Sequence, residues 1–280
     1  MFPLADCKYS LKSCKFGIFR INLLSYVSQS RPTHSDNGHA QPCFNDMYRR
    51  ILLKLSGESL GGPSGKGLDE SAIAAYASKI VKAVRSGCQV AVVNGGGNIF
   101  RGLQGSGAGF DRVDGDKMGM LATVINSMAL AQFIRAQGVK AEVFTSTPME
   151  PLARYYVRDA ASRFLEEGGV ALIAGGTGNP FFTTDSGAAL RALELGADVL
   201  LKGTRVDGVY DSDPEKNPDA VKYDELTFDK ALEDNLKVMD ATAFALCRQG
   251  DVPIVVFDIS SEDSLQDIIE GKKVGTLVHA

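Results

Sequence analysis

The chain has 280 residues, of which 44% are hydrophobic and 23% charged, and its formal charge is −4. This composition suits a soluble globular protein with one large α/β domain, and without an aromatic-interleaved basic stripe it sets nucleic acid aside as the main ligand. No apolar run approaches the length of a membrane span. The three histidines, His34, His39 and His279, fall outside the expected core, which leaves little room for a Cys/His zinc site, a Ser-His triad or a Cys-His pair.

Residues 1–46 carry Lys8, Lys12, Lys15, Arg20 and Arg31 against Asp6, Asp36 and Asp46, a balance of +5 − 3 = +2. The preferred reading is that translation starts at Met47 and that 47–280 is a single catalytic domain. The alternative is an organelle presequence, with 28–42 a disordered linker. Residues 50–55 read as a buried strand entering the glycine-rich stretch 56–67. Asp69 caps a helix with apolar residues at Ile73, Ala77, Ile80, Val81 and Val84, closed by Gly87. Residues 89–93 form a strand, and a long helix runs from 118 through 134 to Gly138. Strands follow at 139–145, 170–174 and 198–202, with helices at 155–167 and 188–195. A loop at 203–218 leads to two short helices within 226–250 and a late strand at 253–257. Strand and helix alternate, which predicts a three-layer sandwich around a central, mostly parallel sheet. Cys88 and Cys247, the two cysteines of the domain, read as buried and reduced, as in the cytoplasm.

Three strands end in glycine loops: Ser56-Gly57-Glu58, Asn94-Gly-Gly-Gly-Asn98 with Arg101 nearby, and Gly175-Gly-Thr-Gly-Asn-Pro-Phe-Phe-Thr-Thr-Asp185. Glycines let backbone N–H groups approach an anion, and in a parallel sheet such loops gather at the carboxyl edge. Lys54 sits in an apolar strand, where an unpaired ammonium is costly. The common nucleotide motifs do not fit. Lys66 is followed by Gly67 rather than Ser/Thr, and the stretch 95–100 has no glycine where the dinucleotide fingerprint requires its third. Asp211, Asp213 and Asp224 do not have calcium-loop spacing, so no protein metal cage is expected.

Lys54-Leu-Ser-Gly-Glu58, Gly95-Gly-Gly-Asn-Ile-Phe-Arg-Gly102, Asp116-Lys-Met-Gly-Met-Leu-Ala-Thr123, Gly176 to Asp185 and Val206-Asp-Gly-Val-Tyr210 resemble bacterial-type uridylate (UMP) kinase, of the amino acid kinase fold family. The resemblance spans about residues 48–278. It implies transfer of the terminal phosphoryl group of Mg²⁺-bound ATP to UMP. It places the ATP phosphates on Lys54, Leu55, Ser56, Gly57, Gly97 and Arg101, and the adenosine on Thr204, Tyr210 and Asp213. The UMP site becomes Gly96, Asp116, Thr177, Gly178, Asn179, Pro180, Phe181, Phe182, Thr183 and Thr184. Lys54, Arg101, Asp185 and Lys202 are the catalytic candidates. A homohexamer, UTP as candidate inhibitor and GTP as candidate activator also follow, although the residues at 62–67 depart from the family's GTP-activation segment.

A phosphate acceptor is already an anion, so the absence of a general base is no obstacle. Other readings stand beside these. Asp185 reads either as the cap of the following helix or as an orienting carboxylate for Lys54 and Lys202. A cap is the lesser reading of Asp116, and a snorkelling lysine the lesser reading of Lys54. The whole chain admits two rivals: a kinase with an amino-acid or carbamate acceptor, and a non-catalytic nucleotide-binding protein of the molybdenum-storage type.

Overall fold

A strand buried on both faces sends alternate side chains into two different cores, and β1 (Arg50–Leu55) does so. Ile51, Leu53 and Leu55 join one hydrophobic cluster and Leu52 joins the other. Alternation therefore puts Lys54 on the Leu52 face. The computed structural model describes residues 48–100, 111–236 and 238–280. Arg101, and the extension with His34 and His39, lie outside the described residues.

The remaining strands of the main sheet are β2 (Gln89–Asn94), β3 (Ala141–Thr145), β4 (Arg154–Tyr155), β5 (Val170–Ala174), β6 (Val199–Thr204), β9 (Glu225–Thr227), β10 (Ile254–Asp258) and β11 (Thr276–His279). Their order is β4-β3-β5-β2-β1-β6-β10-β11-β9, and every neighbouring pair is parallel except β10 with β11. A separate hairpin pairs β7 (Val209–Tyr210) with β8 (Lys222–Tyr223).

Helices cover both faces. On one side α2 (Glu70–Arg85), α3 (Arg112–Ala136) and α8 (Ser264–Ile269) contribute residues such as Ile80, Leu130 and Ile268 to the first cluster. On the other, α4 (Arg158–Glu166), α5 (Thr184–Leu195) and α7 (Ala241–Gln249) supply Leu165, Ala188 and Phe244 to the second. The four-residue α1 (Gly57–Leu60) and the six-residue α6 (Phe228–Glu233) complete the described helices. This is the three-layer α/β arrangement expected.

Several boundaries differ from the sequence reading. Helix α3 begins at Arg112, six residues before 118, because its first turns are polar and hide the apolar period. Helix α4 begins at Arg158, since 154–155 pair with β3 instead. His279 is a strand residue of β11, paired at 2.8 Å with Glu225, and not outside the fold as expected. The short strands β4, β7, β8, β9 and β11 and the short helices α1 and α8 have no counterpart in the sequence reading, and β7 falls within the stretch expected to be a loop. Helix α3 is long and apolar enough to cross a membrane by length and composition, contrary to the reading that no run is. It packs as a core helix against α2, β3 and β5, with Val124, Leu130 and Ile134 buried. Cys88 and Cys247 are buried and free, and burial pushes both thiols up to about 12.

Candidate active site

Strands β1 and β2 run in parallel register, with Leu55 opposite Asn94, so their glycine loops emerge side by side. Gly95 N–H donates to the Leu55 carbonyl at 2.9 Å. A Cβ on Gly57 would lie 2.7 Å from the Gly95 oxygen and 2.8 Å from the Gly97 nitrogen, so only glycine permits this approach. Beneath the loops, Asn98 and Asn126 exchange amide hydrogen bonds of 3.0 and 2.7 Å, and Asn126 Nδ2 also donates to the Gly95 carbonyl at 2.7 Å. Both asparagines are buried. Ser56, Gly57, Gly96 and Gly97 are thereby held together at the carboxyl edge of the sheet.

Lys54 on β1 and Lys202 on β6 are register partners on adjacent parallel strands and share a face. Two ammonium groups so placed repel, and Asp185, in the first turn of α5, lies between them. Its Oδ1 is 2.8 Å from Lys54 Nζ, and its Oδ2 accepts from Lys202 Nζ at 3.0 Å. All three side chains are under one-fifth exposed. Burial pushes the Asp185 carboxyl up, but the two lysines outweigh it and hold it below the ordinary range. Burial also lowers Lys202; Asp185 opposes this and Lys54 adds to it, leaving the ammonium below its ordinary value. The helix-cap reading of Asp185 is overturned. The cap is Thr183, whose hydroxyl accepts from Asp185 N and Ser186 N.

Asp116 is likewise no cap: Asp111 caps α3, and Asp116 lies inside the helix. Its carboxylate accepts from Phe181 N at 2.8 Å and from Arg112 Nε at 2.9 and 3.1 Å. This ties α3 to the loop 177–183. In that loop Thr177 bonds only locally with Asn179, Gly178 has φ +80°, and Phe181 and Phe182 are exposed. Gly96 lies against the same helix, with Gly119 O only 2.7 Å from where its Cβ would stand. The glycines have a second support, since Thr123 Oγ1 accepts from Gly175 N at 2.8 Å. Ser146 Oγ donates to the Gly176 carbonyl at 2.6 Å, and Ser146 is braced in turn by buried Arg191.

Thr204, Tyr210 and Asp213 line a cavity of about 420 Å³ that reaches Lys202. Tyr210 Oη donates to Asp207 at 2.6 Å, and Asp213 pairs with Lys216. Among the described candidate residues, Lys54, Asp185 and Lys202 are brought into direct contact, Lys202 also lines the cavity of Thr204, Tyr210 and Asp213, and Asp116 is bonded to the 177–183 loop. Sequence reasoning missed Asp240, Asn126 and Arg112. Asp240 caps α7 and receives the Thr183 and Ser186 hydroxyls, tying the starts of two helices together. Its only sequence signal was an acid followed by a short helical pattern.

Cations and backbone donors at a parallel-sheet edge, with no histidine beside them among the described residues, are suited to moving phosphate and not to nucleophilic acyl chemistry. Residues 49–258 match the model of the amino acid kinase family, and the chain belongs to that family. Within it, the chain is 53% identical over 232 residues to a protein named uridylate kinase from Bacteroides thetaiotaomicron, spanning 83% of this chain and 98% of that one. Two crystal structures are similar as well. The UMP kinase of Bacillus anthracis superimposes with a TM-score of 0.81 at 36% identity, covering 83% of this chain and 96% of that one. The UMP kinase of Ureaplasma parvum gives 0.79 at 39% identity, covering 83% and 99%. The chain is a phosphotransferase.

Proposed function

We propose that this chain is a uridylate kinase, converting UMP and ATP to UDP and ADP in pyrimidine nucleotide biosynthesis. The observation that carries the reading is the Lys54–Asp185–Lys202 centre, whose Lys202 lines the cavity of Thr204, Tyr210 and Asp213 and whose Asp185 directly follows the Asp116-anchored loop. Adenosine occupies the side of Thr204, Tyr210 and Asp213. The ATP phosphates lie over Lys54 to Gly57, Gly97 and Arg101. UMP lies against Gly96, Asp116 and residues 177–184, with Asp116 reading the nucleoside.

The attacking atom is a phosphate oxygen of UMP, already ionised, so no proton needs to be removed before it reacts. As the bond to the leaving ADP breaks, charge spreads over the transferred group and the ADP oxygens. Lys54 and Lys202 neutralise that charge from fixed positions, with no reorganisation at the moment of transfer. Asp185 keeps the two ammonium groups close despite their repulsion. Mg²⁺ bound with the ATP phosphates would supply further positive charge; the two Asp185 oxygens lie 2.8 and 3.0 Å from the lysine ammonium groups.

The assembly proposed is a homohexamer acting in the cytoplasm, with residues 47–280 as the catalytic unit. UTP is a candidate inhibitor through the uridine site, and GTP a candidate activator. What supports assembly is a stripe on α3, with Leu121, Ile125 and Met128 all at least 40% exposed at one-turn spacing. Steady-state transfer from Mg-ATP to UMP, CMP, dUMP and a panel of amino acids tests the activity. UMP should be the preferred acceptor. Turnover of an amino acid with none of UMP would overturn the reading.

A further inference from the structure

Arg112 opens helix α3 and has no part in the roles assigned above. Its Nε reaches both oxygens of Asp116 one turn along the helix, and its guanidinium lies 5.6 Å from the centre of the Phe181 ring. Phe181 N–H completes the triangle by donating to Asp116 Oδ2 at 2.8 Å. Three groups therefore join the start of α3 to the tip of the 177–183 loop.

Phe181 has φ +72°, a left-handed conformation that a residue with a side chain adopts at a cost. Such a conformation persists only where its surroundings over-determine it. The core does not do so here, because Phe181 is 65% exposed. What holds it is the Asp116 carboxylate on its amide and the Arg112 guanidinium over its ring. Asp116 in turn is aimed by Arg112, whose planar group fixes a carboxylate in a way a lysine cannot. The side chain of Asp116 is only 15% exposed, so its direction is set by these partners and not by solvent.

We propose that Arg112 is a positioning residue of the acceptor site. It orients the Asp116 carboxylate and, with it, holds Phe181 and the 177–183 loop in the shape that receives the acceptor nucleoside. The proposal rests on the uridylate kinase reading. Arg112 acts through Asp116 and Phe181, away from the lysine pair, so its loss weakens acceptor binding and spares phosphoryl transfer.

The test compares Arg112→Ala, Arg112→Gln and Arg112→Lys with Lys117→Ala, a control at an exposed pair in the same part of the helix. Losing one charge-assisted contact corresponds to roughly tenfold in binding. Arg112→Ala and Arg112→Gln should therefore raise KM for UMP about tenfold, leaving KM for ATP and kcat within about threefold of the parent. Arg112→Lys should restore part of the loss, and Lys117→Ala should change nothing. Amide hydrogen exchange on the ligand-free protein supplies an arm independent of turnover. Exchange across 177–183 should quicken in the Ala and Gln variants while β5 stays protected. Unchanged KM for UMP, unchanged loop exchange, or a rise in KM for ATP as large as that for UMP together with a matching fall in kcat would each overturn the proposal. If the parent protein fails to phosphorylate UMP, the functional reading falls, and the exchange arm still decides the positioning role.

Discussion

The reactive charges are few and each has a distinct task. Lys54 is expected to act mainly in the transition state, since its ammonium stands beside its partner Lys202 at the strand ends, where the transferred group must pass. Lys54→Ala should lower kcat by about 10²–10³, with a smaller effect on KM for UMP. Steady-state kinetics checks this, and a variant with near-normal kcat and only a raised KM would remove the role. Lys202 gives a pH prediction. Its ammonium is held below the ordinary 10.5, chiefly by burial. Between the folded and ordinary values the unfolded chain binds more protons, so this group makes stability rise with pH in that window. Activity should move the other way, falling as the charge is lost before an ordinary lysine titrates. Lys202→Arg, which stays charged, should shift the alkaline limb of the kcat profile to higher pH; an unmoved limb would show that Lys202 is not the titrating group. Asp185 behaves oppositely at acid pH. Its depressed value adds stability above about pH 4 that is lost as pH falls through the folded value.

At the scale of elements, the site depends on how closely the β1 and β2 loops meet. Gly57→Ala puts a methyl group 2.6 Å from Asn98 Oδ1 and against two backbone atoms. We expect a stability loss of about 1–3 kcal/mol and a larger rise in KM for ATP than for UMP. Denaturant unfolding and initial rates measure both, and a variant indistinguishable from the parent would show that the loops can part freely. This closeness was only half legible in the sequence. The run 170–174 is wholly apolar and 50–55 is apolar apart from Arg50 and Lys54, and both match the fold to the residue. The glycines announced the loops. Their support did not show, because Asn126 and Asp240 look like solvent-facing polar residues until a distant segment lies beside them. The junction of Lys54 and Lys202 through Asp185 was legible as one of two readings of that carboxylate, but the register that sets the two lysines side by side is a matter of strand order across nearly 150 residues. Strands of three or four residues such as β9 and β11 carry too short a pattern to stand out.

At the scale of the whole molecule, α3 carries apolar residues on more than one side: Val124, Leu130 and Ile134 are buried while Leu121, Ile125 and Met128 are exposed. Leu121, Ile125 and Met128 face outward on one stripe, and the groove beside Ile125 and Met128 is walled by Leu68 and Leu152. Covering that stripe with another copy fits the proposed hexamer. Ile125→Glu should then reduce the sedimentation coefficient to that of a smaller species without unfolding the chain. A parent protein that sediments as a monomer at all concentrations would sink the idea.

The two lysines carry two positive charges against the one carboxylate, Asp185, that they contact directly, with Asp240 adding negative charge toward Lys202. If the lysine pair takes phosphate as proposed, anions that bind only the folded form add stability in proportion to the logarithm of their concentration. A melting temperature recorded in phosphate or sulfate buffer would then report a partly liganded protein. Inhibitor affinities measured there would look weaker than they are, because the buffer already competes for the same two ammonium groups.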